Sequence, residues 1–299
     1  MATSPTTTRS IIFVHAHPDD ESINNAATMA RYASDGHTVT LVTATRGDEG
    51  EVMVPDLAHL ASDDQDRLGH HRTGELADAM SAVGVTDRHW LGGEGRYRDS
   101  GMMGTPQNDH PEAFWQADLE EAADHLVAIL REVRPDVLVT YDPHGGYGHP
   151  DHIQTHRVAT YAVALAAAES HRTDLGPAHD VAKVYWNAFP QWQVEEQMRR
   201  LEAAQAEGLN YGLPDVDSYL EHRTCPDEAI AAQIDGSPYL ETKKAAMAAH
   251  ETQLEVDGDI YALTNRLAAL VLPDECYRLA KGRSGNPHGL EDDLFAGLD

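Results

Sequence analysis

The first regular feature of the chain is a short apolar run, Ile11-Ile12-Phe13-Val14. Such a run, with no polar alternation, suits a strand buried on both faces of a parallel sheet. Residues 21–35 follow with Ile23, Ala26, Ala27, Ala30 and Ala33 spaced three and four apart. That spacing predicts a helix, stopped by Gly36. Residues 38–43 (TVTLVT) predict a second strand. Strand, helix and strand within about 35 residues make one βαβ unit.

The alternation then repeats. Helices are predicted over 66–83, ending at Gly84, and over 114–133. Strands are predicted over 88–91 and, after the Arg134-Pro135 break, over 136–141. Pro150 sits where a first helical residue would, opening a helix to about residue 170. The expected fold is α/β: a Rossmann-like, mostly parallel sheet with helices on both faces. Beyond about residue 175 the pattern weakens. One more strand is predicted over 181–186, with helices near 193–207, 239–254 and 259–270. The reading is a smaller C-terminal α+β region, with a loop from Gly208 to Pro226.

Charge narrows the partners. Acidic residues number 50 against 22 basic, a formal net charge of −28. Such a field repels nucleic acid and anionic membrane, so neither is expected as a partner. The acids are spread along the chain, which reads as a solubilising surface. Cys225 and Cys276 form no CxxC pattern or disulfide framework, as in a reducing cytosol. Residues 1–10 are polar and Thr-rich, unlike a signal peptide, and no apolar run approaches membrane-spanning length. The expected location is the cytoplasm.

Two loops carry the chemistry. His15-Ala16-His17-Pro18-Asp19-Asp20-Glu21 directly follows the first strand, and Tyr147-Gly148-His149-Pro150-Asp151-His152 follows the fourth. Ligands of an open α/β sheet bind beyond the C-terminal ends of its strands. The first loop lacks the Gly-x-Gly-x-x-Gly of a dinucleotide site, and its carboxylates would repel phosphate. A catalytic zinc takes about three ligands from His, Asp, Glu or Cys and keeps a place for water. His17, Asp20 and His152 can supply them. Asp19 then lies beside the metal as a base, His149 faces the reacting carbonyl, and Asp151 orients an adjacent imidazole.

The ordinary alternative for each loop is a helix start, where Asp caps and Pro is common. Two HPD loops at strand ends in one chain outweigh it. His152 and His156 form a rival i, i+4 pair, but no third ligand shares their face. His15 is read as packed, His70 and His71 as an exposed helix face, and His250 as structural.

The runs from Val14 to Ser22 and from Tyr141 to His152 resemble the LmbE-like (PIG-L) metal-dependent N-deacetylases. The likeness extends to Gly92–Met102 and Ala248–Gln253 and covers nearly the whole chain. It implies one Zn²⁺ per chain on His17, Asp20 and His152, a site that would also accept Fe²⁺. It implies Asp19 as general base, His149 as acid or oxyanion donor, and Tyr147 as a carbonyl-polarising group. It further implies that Asp151 tunes His149, and that Arg72 and Asp99 grip sugar hydroxyls. Within the family the match is to the mycothiol-pathway branch, whose substrate is a small amino-sugar inositol. The related S-conjugate amidases carry Ser-Lys where this chain has Ile23-Asn24, which favours the deacetylase side. The domain expectation is then a metal-binding catalytic core over 1–175 and a region over 176–299 that completes the substrate cleft.

Overall fold

β1 (Ser10–His15) lies in the middle of a seven-stranded sheet ordered β3-β2-β1-β4-β5-β10-β6. The computed structural model describes residues 8–215, 217, 220 and 224–298. β2 (Thr38–Thr43), β3 (Asp87–Trp90), β4 (Val137–Thr140) and β5 (Lys183–Ala188) run parallel to β1. β10 (Asp274–Lys281) is antiparallel to both β5 and β6 (Ala232–Asp235). The strand order reverses between β1 and β4, so the crossover helices diverge there and leave a crevice.

The period-2 geometry of β1 splits its side chains between two cores. Ile11 and Phe13 join one cluster with α1 (Asp20–Ser34), α2 (Leu68–Val83) and α6 (Leu240–Ala248). Ile12 and Val14 join the other, with α3 (Leu119–Val133) and α4 (Pro150–Ala167). Helices thus cover both faces, and the apolar run of β1 is explained by burial on each. Local signals set the helix ends as expected. Gly84 ends α2 in a left-handed conformation, φ 83°, and Pro150 starts α4.

The second half departs from expectation. Residues 259–270 are not a helix but β8 (Ile260–Ala262) and β9 (Ala268–Leu270), an antiparallel pair whose β8 also pairs antiparallel with β7 (Glu255–Asp257). Ile260, Leu263, Leu267 and Leu270 mimic helical spacing, but the chain turns at Arg266, φ 60°, where the Asn265 side chain accepts from Leu267 N. Burial of Ala262, Ala268 and Leu270 against α5 (Gln191–Ala206) favours the small sheet. The helix expected over 114–133 begins as a 3₁₀ turn and restarts at α3, capped by Asp118. The helix expected over 239–254 stops at Ala248. β6 and β10 have no counterpart in the sequence reading. The loop expected from Gly208 to Pro226 includes residues 216, 218, 219 and 221–223, which lie outside the described residues.

Leu126 on α3 is fully buried in the second core. Leu126→Ala is expected to lower unfolding free energy by about 2–5 kcal/mol in chemical denaturation.

Candidate active site

Both HPD loops open into the crevice between β1 and β4. They form one wall of a cavity of about 880 Å³. The opposite wall comes from beyond residue 175 and includes Phe189, Leu270, Leu272 and Arg278.

The first loop is strained in a useful way. Asp19 occupies the position before α1, yet its side chain makes no cap hydrogen bond. Its φ is 124°, a region that costs a residue with a side chain about 1–3 kcal/mol. Its carboxylate instead accepts from Arg72 Nη2 at 3.0 Å. Burial lifts the Asp19 carboxyl to about 6, against the pull of Arg72 and with the push of Asp20. Asp20 turns back, and its Oδ2 accepts the His17 backbone N–H at 2.9 Å.

Two further imidazoles, His149 and His152, and three carboxylates, Asp20, Asp99 and Asp151, meet around His17. Its Nδ1 lies 3.4 Å from Asp20, and its Nε2 donates to Asp151 at 3.1 Å, with Asp99 at 3.6 Å. Burial disfavours the charged His17 ring, but Asp99, Asp151 and Asp20 outweigh it and favour positive charge there. His17, His149 and His152 offer nitrogens within 4.8 Å of one another, and His17, Asp99 and Asp151 form a second such group.

Hydrogen bonds distinguish the histidines. His152 Nδ1 lies 3.1 Å from the Gly145 carbonyl, an acceptor only, so Nδ1 carries the proton. Its Nε2 lone pair is buried without a hydrogen-bond partner. It faces Asp20 Oδ1 at 3.3 Å, so two acceptors confront each other, an arrangement that a cation relieves. His149 is the reverse case. Its Nδ1 accepts from Asp151 N at 3.1 Å, which leaves the proton of the neutral ring on Nε2. Burial, then the positive charge favoured at His17, push the His149 ring down to about 2, so it stays neutral.

The expected site residues therefore converge, with changed partners. The Asp151 side chain serves His17, not His149; it touches His149 only through its backbone. Ser100 holds Asp151 through both N–H and hydroxyl. Arg72 is buried and directs its guanidinium at the Asp19 carboxylate and the Pro18 and Gly47 carbonyls. Asp99 accepts from Gly101 N and Glu49 N. Burial would raise its carboxyl, but the charge favoured at His17, with the Gly101 N–H, brings it down to about 2. Tyr147 lines the cavity with its ring 5.0 Å from that of His152. His15 is packed between Tyr141 and Asn25, and His156 bonds the Tyr141 carbonyl. His70 is exposed.

Some members lay in the recognised runs but were given no role in the site by the sequence. Tyr141 stacks on His152 at 4.3 Å and accepts from Ala16 N, a contact between two strand ends. Glu21 and His250 pair behind Asp19. Glu21 stood inside the first motif, but nothing in its spacing predicted that partner.

Fold and site together define an α/β protein that gathers histidine and aspartate side chains at the switch point of its sheet. The chain belongs to the PIG-L family, described as GlcNAc-PI de-N-acetylase, whose pattern matches residues 12–163. A relative from Geodermatophilus obscurus, a 1D-myo-inositol 2-acetamido-2-deoxy-alpha-D-glucopyranoside deacetylase, is 56% identical over 293 residues, 98% of this chain and 99% of its own. The N,N'-diacetylchitobiose deacetylase of Pyrococcus horikoshii shares the fold, with a TM-score of 0.58 at 18% identity over 95% of this chain and 87% of that one. So does the 4-carboxy-2-hydroxymuconate hydratase of Pseudomonas putida, at 0.57 and 16% over 92% of this chain and 98% of that one. Fold alone therefore does not set the reaction.

Gly145 sits at φ 68°, and an added Cβ would lie 2.7 Å from the His152 Cβ. Gly145→Ala is expected to displace His152 and reduce bound divalent metal per chain, measured by elemental analysis after dialysis.

Proposed function

We propose that this chain removes the N-acetyl group of N-acetylglucosaminyl-inositol, releasing acetate and the free amine, with zinc on His17, Asp20 and His152. The observation that carries the chemistry is the buried, unpartnered Nε2 of His152 facing Asp20. The near full-length relative at 56% identity supports the substrate. The two nitrogens and one carboxylate suit zinc and would also suit ferrous iron. Bound there, the metal supplies a polarised carbonyl and a water acidified to about pKa 7.

The remaining roles fall to this chain's own groups. Asp19, aimed by Arg72, takes the proton of the attacking water. His149 stays neutral with its proton on Nε2, so it donates a hydrogen bond to the developing oxyanion rather than a proton. Tyr147 adds a contact on the same side of the cavity. An amine leaves only when protonated, and Asp19, having gained a proton, returns it there. Asp151 holds the His17 ring in place. Asp99 and the outer cavity wall receive sugar and inositol hydroxyls, and Arg72 contributes by fixing the base.

We further propose residues 1–175 as the catalytic core and 176–299 as the part that closes the cleft, since the cavity draws walls from both. The two buried free thiols, Cys225 and Cys276, support a cytoplasmic setting. No described helix is long and apolar enough to cross a membrane.

Primary amine release should be rapid from N-acetylglucosaminyl-inositol and much slower from a mycothiol conjugate, and a chelator should abolish it. The reverse preference would assign the chain to the amidases. Asp19→Asn is expected to lower kcat by about 10²–10⁴-fold with metal retained. Activity should also fall on the acid side as Asp19 protonates. The midpoint should lie no higher than about 6, because a nearby cation only pulls that carboxyl down.

A further inference from the structure

Asp19 is held at three points, and only one of them, the Arg72 contact, belongs to the site described above. Its carboxylate is fixed by Arg72 at 3.0 Å. Its carbonyl accepts from Ser22 N and Ile23 N, in the first turn of α1. Its own N–H donates to Glu21 Oε2 at 3.0 Å. Rotation about the N–Cα bond is what φ measures, and this last contact, together with the Arg72 hydrogen bond to the Pro18 carbonyl, fixes the peptide plane on the N-terminal side of that bond against relaxation from φ 124°.

Glu21 is fully buried, an expensive place for a carboxylate unless it is paired. Its other oxygen accepts from Ser22 Oγ at 2.6 Å and from His250 Nε2 at 2.9 Å. His250 is also fully buried and arrives from 229 residues away. It sits just after α6, which packs against α1 and α2. The far end of the chain thus braces a side chain that neither touches the cavity nor joins the proposed ligand set.

We infer that Glu21 is a positioning residue for Asp19, with His250 as its brace. The inference rests on the reading of Asp19 as the base. Glu21 Oε2 keeps residue 19 at positive φ, and that conformation aims the Asp19 carboxylate at Arg72 and the cavity. Without an acceptor for the Asp19 N–H, the backbone relaxes toward negative φ and the carboxylate swings off target. His17, Asp20 and His152 keep their own contacts, so metal and substrate still bind.

The test compares Glu21→Met, which fills the volume without an acceptor, with Glu21→Gln, whose carbonyl can still accept from Asp19. Glu21→Met is expected to lose about 10²-fold in kcat, with KM and metal per chain unchanged, as for a small misplacement of a reacting group. Glu21→Gln is expected to recover most of the rate. In an Asp19→Asn background, Glu21→Met should cost nothing more, because its effect passes through Asp19. His250→Leu provides an independent variant, should Glu21→Met not fold, with an expected kcat loss of about ten-fold at unchanged KM. The inference is overturned if Asp19→Asn is impaired while Glu21→Met, or His250→Leu in its place, keeps near-normal kcat. It is also overturned if Glu21→Met costs as much in the Asp19→Asn background as alone. Near-normal kcat in Asp19→Asn overturns the base assignment itself, and this inference with it.

Discussion

Four carboxylates converge on one buried corner of the molecule, and the architecture around it is organised to hold that charge out of water. Asp19, Asp20, Asp99 and Asp151 all lie within reach of His17 or of each other's partners. Isolated buried carboxylates are strongly disfavoured, so each must be matched by donors or cations. Asp20 takes the His17 N–H, Asp99 takes Gly101 and Glu49, Asp151 takes Ser100, and Asp19 takes Arg72. The N-termini of α1 and α4 point into the same corner and add their positive ends. These donors come from segments that follow β1, β2, β3 and β4, so the corner exists only when the parallel sheet is assembled.

Within that corner the three histidines are not equivalent. Each ring's tautomer follows from the one neighbour that can only accept or only donate. Gly145 leaves His152 with a free lone pair, whereas the Asp151 N–H takes up that of His149 on Nδ1. The same ring chemistry is thereby divided into a proposed metal ligand and a proposed hydrogen-bond donor. A hydratase shares this fold at 16% identity, so the sheet by itself does not set the reaction.

The first half was largely legible in the sequence because its signals are local. The apolar runs of β1 and β2, the small-residue stripe of α1, Gly84 and Pro150 each act within a turn or two of themselves. The C-terminal half was less so. β10 is partly polar because it lies toward one end of the sheet, and residues 260–270 share a spacing that fits helix or hairpin. Their state was decided by the α5 face they bury. Among site residues, the two HPD loops announced themselves, while Tyr141, Ser100, Glu21 and His250 did not. Each of those works through contacts to residues distant in the chain or on another strand end.

Sequence alone determined which residue types stand at the C-terminal ends of β1 and β4, because strand and helix periodicity is short-range and the HPD loops interrupt it. It also determined that the crevice would favour imidazole and carboxylate chemistry over phosphate binding, since the glycines needed for a pyrophosphate are missing. Tertiary structure decided which carboxylate serves which ring. Asp151 turned to His17, Arg72 turned to Asp19, and Glu21 found His250. Partner choice in a dry site depends on which donor reaches an acceptor within about 3 Å. That distance is set by how loops from four strands close together, and no local pattern in the chain encodes it.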